Sequence, residues 1–169
     1  MNFQLVPIEN NDLKQYKTDM QDAFQRGYEE EFGQTKEEIL PEEDIDQSLD
    51  ANGSMAYKAL VDGKMVGGAI VVINSDTQYN HLAFLFVKYG TQSKGIGKAI
   101  WDEIEKLYPQ TKVWETCTPY FEKRNIHFYV NKCGFHIVEF FNEKHQNPNM
   151  PGDSIDDDNA GMFVLKKQM

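Results

Sequence analysis

"HLAFLFVKYGTQSKGIGKAIWDEIEKLYP", His81 to Pro109, is the stretch that decides how this chain folds. "HLAFLFV" is apolar nearly throughout, the composition of a strand with both faces covered. From Gly95 onward the pattern changes to the clearest helix in the sequence. Ile96, Ile100, Ile104 and Leu107 recur on one stripe, and Pro109 stops it. A strand that runs through a glycine-containing turn into a helix leaves the first helical N–H groups pointing outward, where the helix dipole favours an anion. Gly95 and Gly97 allow close approach of a ligand to the backbone. Lys94 and Lys98 add positive charge, and the first acid of the helix, Asp102, lies more than a turn away. The alternative is a plain strand–turn–helix whose glycines serve tight packing.

Two phosphate motifs can be tested on this turn. A Walker loop needs G-x-x-x-x-G-K-[ST]. Gly90 and Gly95 have the spacing, but Ile96 and Gly97 stand where Lys and Ser or Thr must be. There is then no lysine for the outer phosphates and no hydroxyl for magnesium, which argues against triphosphate hydrolysis. The dinucleotide fingerprint G-x-G-x-x-G matches at Gly95 and Gly97 but meets Ile100 at its third glycine. What survives is a helix terminus shaped for an anion.

Outward from this stretch the chain is readable as alternating patterns. "FQLVPI" is a first strand ending at Pro7. Leu13, Tyr16, Met20, Phe24 and Tyr28 mark a helix capped by Asn10 or Asn11 and closed by Gly33. A second, acidic helix starts near Pro41. "MAYKALV", the turn "DGK" and "MVGGAIVVI" form a hairpin. "KVWETC" is a short strand, and "PYFEKRNIHFYVNKCG" is a helix with Pro119 near its start and Gly134 at its end. "FHIVEFF" and "GMFVLKK" are two last strands. Between them, residues 142–160 lack periodicity, and loops of that length are usually functional or mobile. "DDDNAG" in this loop fails as a calcium site, because Ala160 and Lys167 stand where oxygen ligands are required.

The order is strand, two helices, three strands, helix, strand, helix, two strands: an α/β (α+β) chain of about seven strands and four helices on a mixed sheet. We read residues 1–169 as a single domain. Residues 1–54 hold the first strand and two acidic helices. Residues 55–134 hold the hairpin, the strand–turn–helix, the fifth strand and the following helix, and 135–169 hold the last strand pair with its loop.

Composition sets limits on function. The 169 residues are 40% hydrophobic and 12% aromatic, an ordinary globular composition. No apolar run approaches the roughly 18 residues of a membrane span. "MNFQLVPIEN" lacks a basic start followed by an apolar stretch, so we expect no signal peptide, and a cytoplasmic location. Two isolated cysteines, Cys117 and Cys133, fit a reduced compartment rather than a disulfide framework. His127 and His136 are too scattered for ligand spacing, and we expect no metal. The net charge of −10 is uneven. Residues 1–54 hold 14 acids and 4 bases, a balance of −10, whereas residues 55–169 hold 13 of each. Phosphate neutralisation needs Lys and Arg, so a nucleic-acid partner is not expected. The acids are either solvated helix faces or a surface for a cationic partner.

"LFVKYGTQSKGIGKAI" resembles the acetyl-CoA-binding motif V-x-P-x-x-[QR]-G-x-G-x-[GA] of the GCN5-related N-acetyltransferases. Val87, Gln92, Gly95, Ile96 and Gly97 match in register, while Tyr89 replaces the usual Pro and Ser93 the usual Gly. "NIHFYVNKCGF" resembles the family's second motif through Asn125, Phe128, Tyr129, Gly134 and Phe135, with one residue more than usual between Tyr129 and Gly134. The element order is also that family's, over nearly the whole chain.

The resemblance implies acetyl transfer from acetyl-CoA, with no metal, to an amine of a small molecule or peptide, and it leaves room for a homodimer. It implies that the backbone around Phe86 and Val87 holds the pantetheine arm and thioester. Gln92, Ser93, Lys94, Gly95, Ile96, Gly97 and Lys98 would hold the pyrophosphate, with Asn125 also on the cofactor side. A lysine-like amine is neutral in only about one molecule in 2,500 at pH 7, so a base is needed. Glu115 and His81 are the candidates, each also readable as an ordinary strand-edge polar residue. The Val87 amide is the candidate oxyanion donor. Tyr129 is either the acid for the leaving thiolate or an aromatic packed under the sheet. In that family the first two helices border the acceptor site, which here would favour a cationic amine. Two other readings stand beside this one: a non-catalytic acetyl-CoA-binding sensor, and an enzyme acting on aminoacyl-tRNA, which the acidic balance disfavours.

Overall fold

The computed structural model describes residues 2–91, 95–147 and 161–169. Its elements are β1 (Phe3–Pro7), α1 (Leu13–Phe32), α2 (Glu42–Asp50), β2 (Ser54–Val61), β3 (Lys64–Val72), β4 (Tyr79–Val87), α3 (Ile96–Leu107), β5 (Val113–Pro119), α4 (Lys123–His127), β6 (His136–Phe141) and β7 (Met162–Gln168). Hydrogen bonding joins the strands in the order β1-β2-β3-β4-β5-β7-β6. The β4–β5 pair is parallel, and β1–β2, β2–β3, β5–β7 and β6–β7 are antiparallel. This is the mixed α/β sheet of seven strands and four helices that the order of sequence patterns implies. No helix among the described residues is long and apolar enough to cross a membrane.

Chain contacts form two compact units. One holds Met1–Asn74 and Leu82–Pro109; the other holds Ser75–His81 and Gln110–Met169.

In the first unit, Asp62 and Gly63 both take positive φ, the backbone of a tight hairpin turn between β2 and β3. The turn aligns Ser54–Val61 against Lys64–Val72, with a register shift between Ala59 and Leu60. Tyr16, Met20, Leu40, Ile45, Ile70 and Phe86 form the buried cluster beneath α1 and α2. The Tyr16 hydroxyl reaches the carbonyls of Tyr57 and Ala69, each at 3.1 Å. The paired glycines of "MVGGAIVVI" permit this packing. A Cβ on Gly68 would lie 2.7 Å from the Tyr16 ring, and one on Gly67 would lie 2.4 Å from the Phe86 carbonyl oxygen. Ile96, Ile100, Trp101 and Ile104 are the buried face of α3. Leu107, expected on that stripe, is 46% exposed, because the last turn runs beyond the buried surface and Trp101 fills the core instead.

α1 begins differently from expectation. Neither Asn10 nor Asn11 caps it; both belong to a 3-10 turn, Asn10–Asp12, that precedes the α-helix. The Glu9 amide donates to Asp12 Oδ2 at 2.8 Å, and Asp12 is held by Lys58 Nζ at 2.8 Å. Gly33 ends α1 at φ +90 as expected.

In the second unit, β4 and β5 pair through Tyr79–Val113, Asn80–Trp114 and His81–Glu115. The Asn80 side-chain amide donates to Thr111 Oγ1 at 2.7 Å, satisfying a buried amide on this ladder. Pro119 is the last residue of β5, paired with Met162, so the following helix starts at Lys123 rather than beside Pro119. α4 continues into a π turn over Phe128–Lys132. There the Cys133 amide reaches back five residues to the Phe128 carbonyl at 3.0 Å. A π turn accommodates one extra residue, which is how the long Tyr129-to-Gly134 spacing is absorbed.

Candidate functional site

The first unit supplies the strand–turn–helix. β4 ends at Val87, and the Lys88 amide donates to the Val66 carbonyl at 2.7 Å, fixing the end of the strand to β3. Both the Thr91 amide and its hydroxyl close onto the Lys88 carbonyl, at 3.0 and 2.6 Å. Gly90 and Gly95 both hold positive φ, +94 and +73, conformations that glycine adopts at no steric cost. Gly95 is the N-cap of α3, its carbonyl accepts from the Ala99 amide at 3.0 Å, and as a glycine it offers no capping side chain of its own. The amides of Ile96 and Gly97 have no acceptor inside the helix by geometry. Open space surrounds the Cβ position of Gly95. The terminus thus has the form of an anion seat built from backbone.

Lys98 lies in the first turn of α3. Its ammonium pairs with Asp102 one turn along α3, so its charge is shared with a carboxylate instead of facing the seat alone. Gln92, Ser93 and Lys94, assigned to the same cradle from the sequence, lie outside the described residues, as do residues 148–160 of the long loop.

Phe86 is a core residue through its side chain, packed edge-on to Tyr16 at 5.3 Å between ring centroids. Only its backbone is available to a ligand. Val87 is half-buried.

The second unit brings the two base candidates together. His81 and Glu115 are register partners on β4 and β5, with His81 Nδ1 3.8 Å from Glu115 Oε2. Burial holds the His81 imidazole below its ordinary pKa, against the opposing pull of Glu115. A neutral imidazole at neutral pH is able to accept a proton, and Glu115 strengthens its basicity. Cys117, two residues along β5 from Glu115, is exposed at the surface, and its thiol is pushed up to about 11 by partial desolvation and by that carboxylate. It is a poor nucleophile at neutral pH, since the thiolate is the reactive form.

Tyr129 is buried in the π turn, with its ring 5.3 Å from Phe128 and 5.6 Å from Phe135. Burial raises its pKa, and its hydroxyl is hydrogen-bonded to Thr116 on β5. Both sequence readings of Tyr129 are therefore compatible with its setting: it packs as an aromatic and carries a proton held firmly on oxygen. Asn125 donates to Thr118 Oγ1 at 3.5 Å, tying α4 to β5. Among the described residues, no three His, Cys, Asp or Glu gather as a metal-binding group.

Sequence reasoning missed the polar ridge of α1. Asp19, Asp22, Arg26 and Glu30 recur at spacings of three and four, and they hold Lys88 and Tyr89 just beyond β4. The periodicity was visible; its partner was not.

Comparison with known proteins agrees with the motif. Residues 17–135 match the acetyltransferase (GNAT) family. The Bacillus subtilis (strain 168) protein YrkN is 49% identical over 149 residues, 88% of this chain and 80% of that protein. The fold is shared with the ribosomal-protein-S18-alanine N-acetyltransferase of Escherichia coli, at TM-score 0.71 and 14% identity over 99% of this chain and 94% of that one. It is also shared with the spermidine N-acetyltransferase of Vibrio cholerae, solved with CoA and spermine, at TM-score 0.68 and 12% identity over 98% and 95% of the two chains. At such identities the structural likeness speaks for the fold alone, while the family match covers most of the sequence. This chain belongs to the acetyltransferase (GNAT) family.

Proposed function

We propose that the protein transfers an acetyl group from acetyl-CoA to a primary amine of a cationic small molecule or peptide, by direct attack of the amine on the thioester. The observation that carries this is the α3 terminus on its left-handed glycine N-cap. Gly95 is left-handed, the amides of Ile96 and Gly97 have no acceptor within the helix by its geometry, and the strand feeding it is pinned at Lys88. A diphosphate is the anion such a terminus suits. The backbone of Phe86 and Val87 would hold the thioester arm, and Gly95 to Lys98 the pyrophosphate.

The reaction forms an N–C bond and breaks a C–S bond. The amine proton goes to a base, for which His81, supported by Glu115, has the right protonation state. The Val87 amide is the candidate donor to the charge developing on the carbonyl oxygen. Tyr129, protonated and bonded to Thr116, can return a proton to the departing sulfur. An acetyl-cysteine intermediate is disfavoured by the raised thiol of Cys117 and the burial of Cys133. Membership of the family favours an enzyme over the sensor that the sequence also allowed.

The acidic first third supports a cationic acceptor. Lys17 is shared by Glu42 and Asp46, Arg26 pairs with Asp22, Lys58 with Asp12 and Lys88 with Asp19. Among the described residues, Glu37, Glu38, Glu43 and Asp44 have no cationic partner, and they lie on the α1–α2 loop and the first turn of α2. A panel of amines assayed by thiol release, at two ionic strengths, is the test. Turnover confined to neutral or acidic amines, with no salt effect, would sink the acceptor class.

A further inference from the structure

α1 carries two polar ridges. Along one, Gln21 donates to Glu38 and to the Leu40 carbonyl, Gln25 donates to the Glu37 carbonyl, and the Ile39 amide donates to Gln25 Oε1 at 3.0 Å. This ridge fixes the helix to the α1–α2 loop. Tyr16 and Met20 fix it to the core. The helix is therefore anchored without its other ridge, which grips something else.

That second ridge meets the two residues between β4 and the glycine turn. Lys88 Nζ lies 3.8 Å from Asp19 Oδ2, while the other oxygen of Asp19 accepts from Gln15 Nε2 at 2.7 Å. The Tyr89 hydroxyl donates to Glu30 Oε1 at 2.7 Å. The Arg26 guanidinium sits over the Tyr89 ring, 4.7 Å from its centroid, and is itself held by Asp22 at 2.9 Å. Tyr89 is thus clasped from its face and from its hydroxyl. It is also a position at which the chain departs from the acetyl-CoA motif it otherwise matches, where Pro is usual. Proline stiffens a segment through its own ring. Tyr89 can hold a segment only through partners, and both partners are present on α1.

We infer that Tyr89 is a positioning residue: through Glu30 and Arg26 it holds Lys88–Thr91 in the arrangement that aims the α3 terminus at the acetyl-CoA pyrophosphate. This rests on the cofactor reading above. The clasp lies at the surface, where single ion pairs and hydrogen bonds add little to global stability. Its effect falls on the freedom of the segment, leaving the fold intact.

The test uses the full-length protein and four variants: Tyr89→Phe, Glu30→Ala, Glu30→Gln and the Tyr89→Phe/Glu30→Ala pair. Amide exchange is followed at Lys88 and Thr91, whose N–H groups are hydrogen-bonded. Steady-state thiol release gives KM and kcat. Tyr89→Phe keeps the ring under Arg26 and loses the bond to Glu30. It should speed exchange at both amides, and raise KM for acetyl-CoA, by about two- to fivefold, with kcat and Tm unchanged. Glu30→Ala should do the same, and the pair should cost no more than either alone. Glu30→Gln keeps an acceptor and should restore both readouts. Unchanged exchange in Tyr89→Phe overturns the inference, as does a fall in kcat with KM unmoved, or failure of Glu30→Gln to rescue. An unmodified protein that neither binds nor turns over acetyl-CoA refutes the cofactor reading, and the exchange rates still decide whether Tyr89 holds the segment.

Discussion

Gly67→Ala probes the link between β3 and the end of β4. An added Cβ would stand 2.4 Å from the Phe86 carbonyl oxygen and 3.2 Å from Val87 Cα, whereas ordinary contact begins at 3.4 Å. Relief requires a shift of 3.4 − 2.4 = 1.0 Å, and the nearest obstructing atom is backbone, which cannot rotate away. Overpacking of this kind costs about 1–3 kcal/mol. At about 2–4 °C per kcal/mol for a domain of this size, Tm should fall by roughly 2–12 °C. The displaced atoms are the backbone assigned to the thioester, and a misplacement of about 1 Å can cost about a hundredfold in rate. Gly63→Ala is the control. Gly63 also has a demanding backbone, φ +83, but its Cβ position is open and its turn is on the β2–β3 hairpin. It should lose stability by about 1–2 kcal/mol and keep kcat/KM. Thermal unfolding paired with thiol release well below both midpoints gives the comparison. Wild-type kcat/KM in folded Gly67→Ala, or equal losses in both variants, would refute the reasoning.

Three further outcomes are expected. Burial lowers the His81 pKa, so its base form persists below pH 6.5, and kcat/KM should fall only as pH drops through that lowered value. Glu115→Gln removes the influence that raises this pKa, so the acid limb should move to still lower pH; a limb that does not move excludes the pair. Tyr129→Phe keeps the ring between Phe128 and Phe135 and should lower kcat by about a hundredfold with KM for acetyl-CoA unchanged, a result that unmoved kcat would contradict. Cys117→Ser should leave turnover intact, because a thiol pushed up to about 11 is not the nucleophile; loss of turnover in a folded Cys117→Ser variant would restore a cysteine route.

The elements built from local chemistry were legible in the sequence. The Asp62–Gly63 turn, the stripe of α3 and the Gly33 stop each rest on a residue whose backbone or spacing permits little else. Pro119 was ambiguous, because proline suits both a first helical turn and a strand end; its pairing with Met162 settles the matter from 43 residues away. The extra residue before Gly134 was visible as a spacing fault, but only the Cys133–Phe128 hydrogen bond shows the π turn that takes it up. His81 and Glu115 were nominated separately, and the parallel register of β4 on β5 is what makes them neighbours. The pairing of Lys98 with Asp102, one turn on, follows from their i,i+4 spacing on the helix face. The clasp on Tyr89 was hidden because α1 and the segment after β4 are 59 residues apart at Glu30 and Tyr89.

The central claim is amine-dependent opening of the acetyl-CoA thioester. Its most direct measurement is continuous thiol release from acetyl-CoA with a cationic polyamine, against buffer alone, at low and high salt. Release that rises with the amine, yields the acetylated amine, and weakens through KM as salt increases is the predicted result. Release no faster with any amine than with buffer would contradict it.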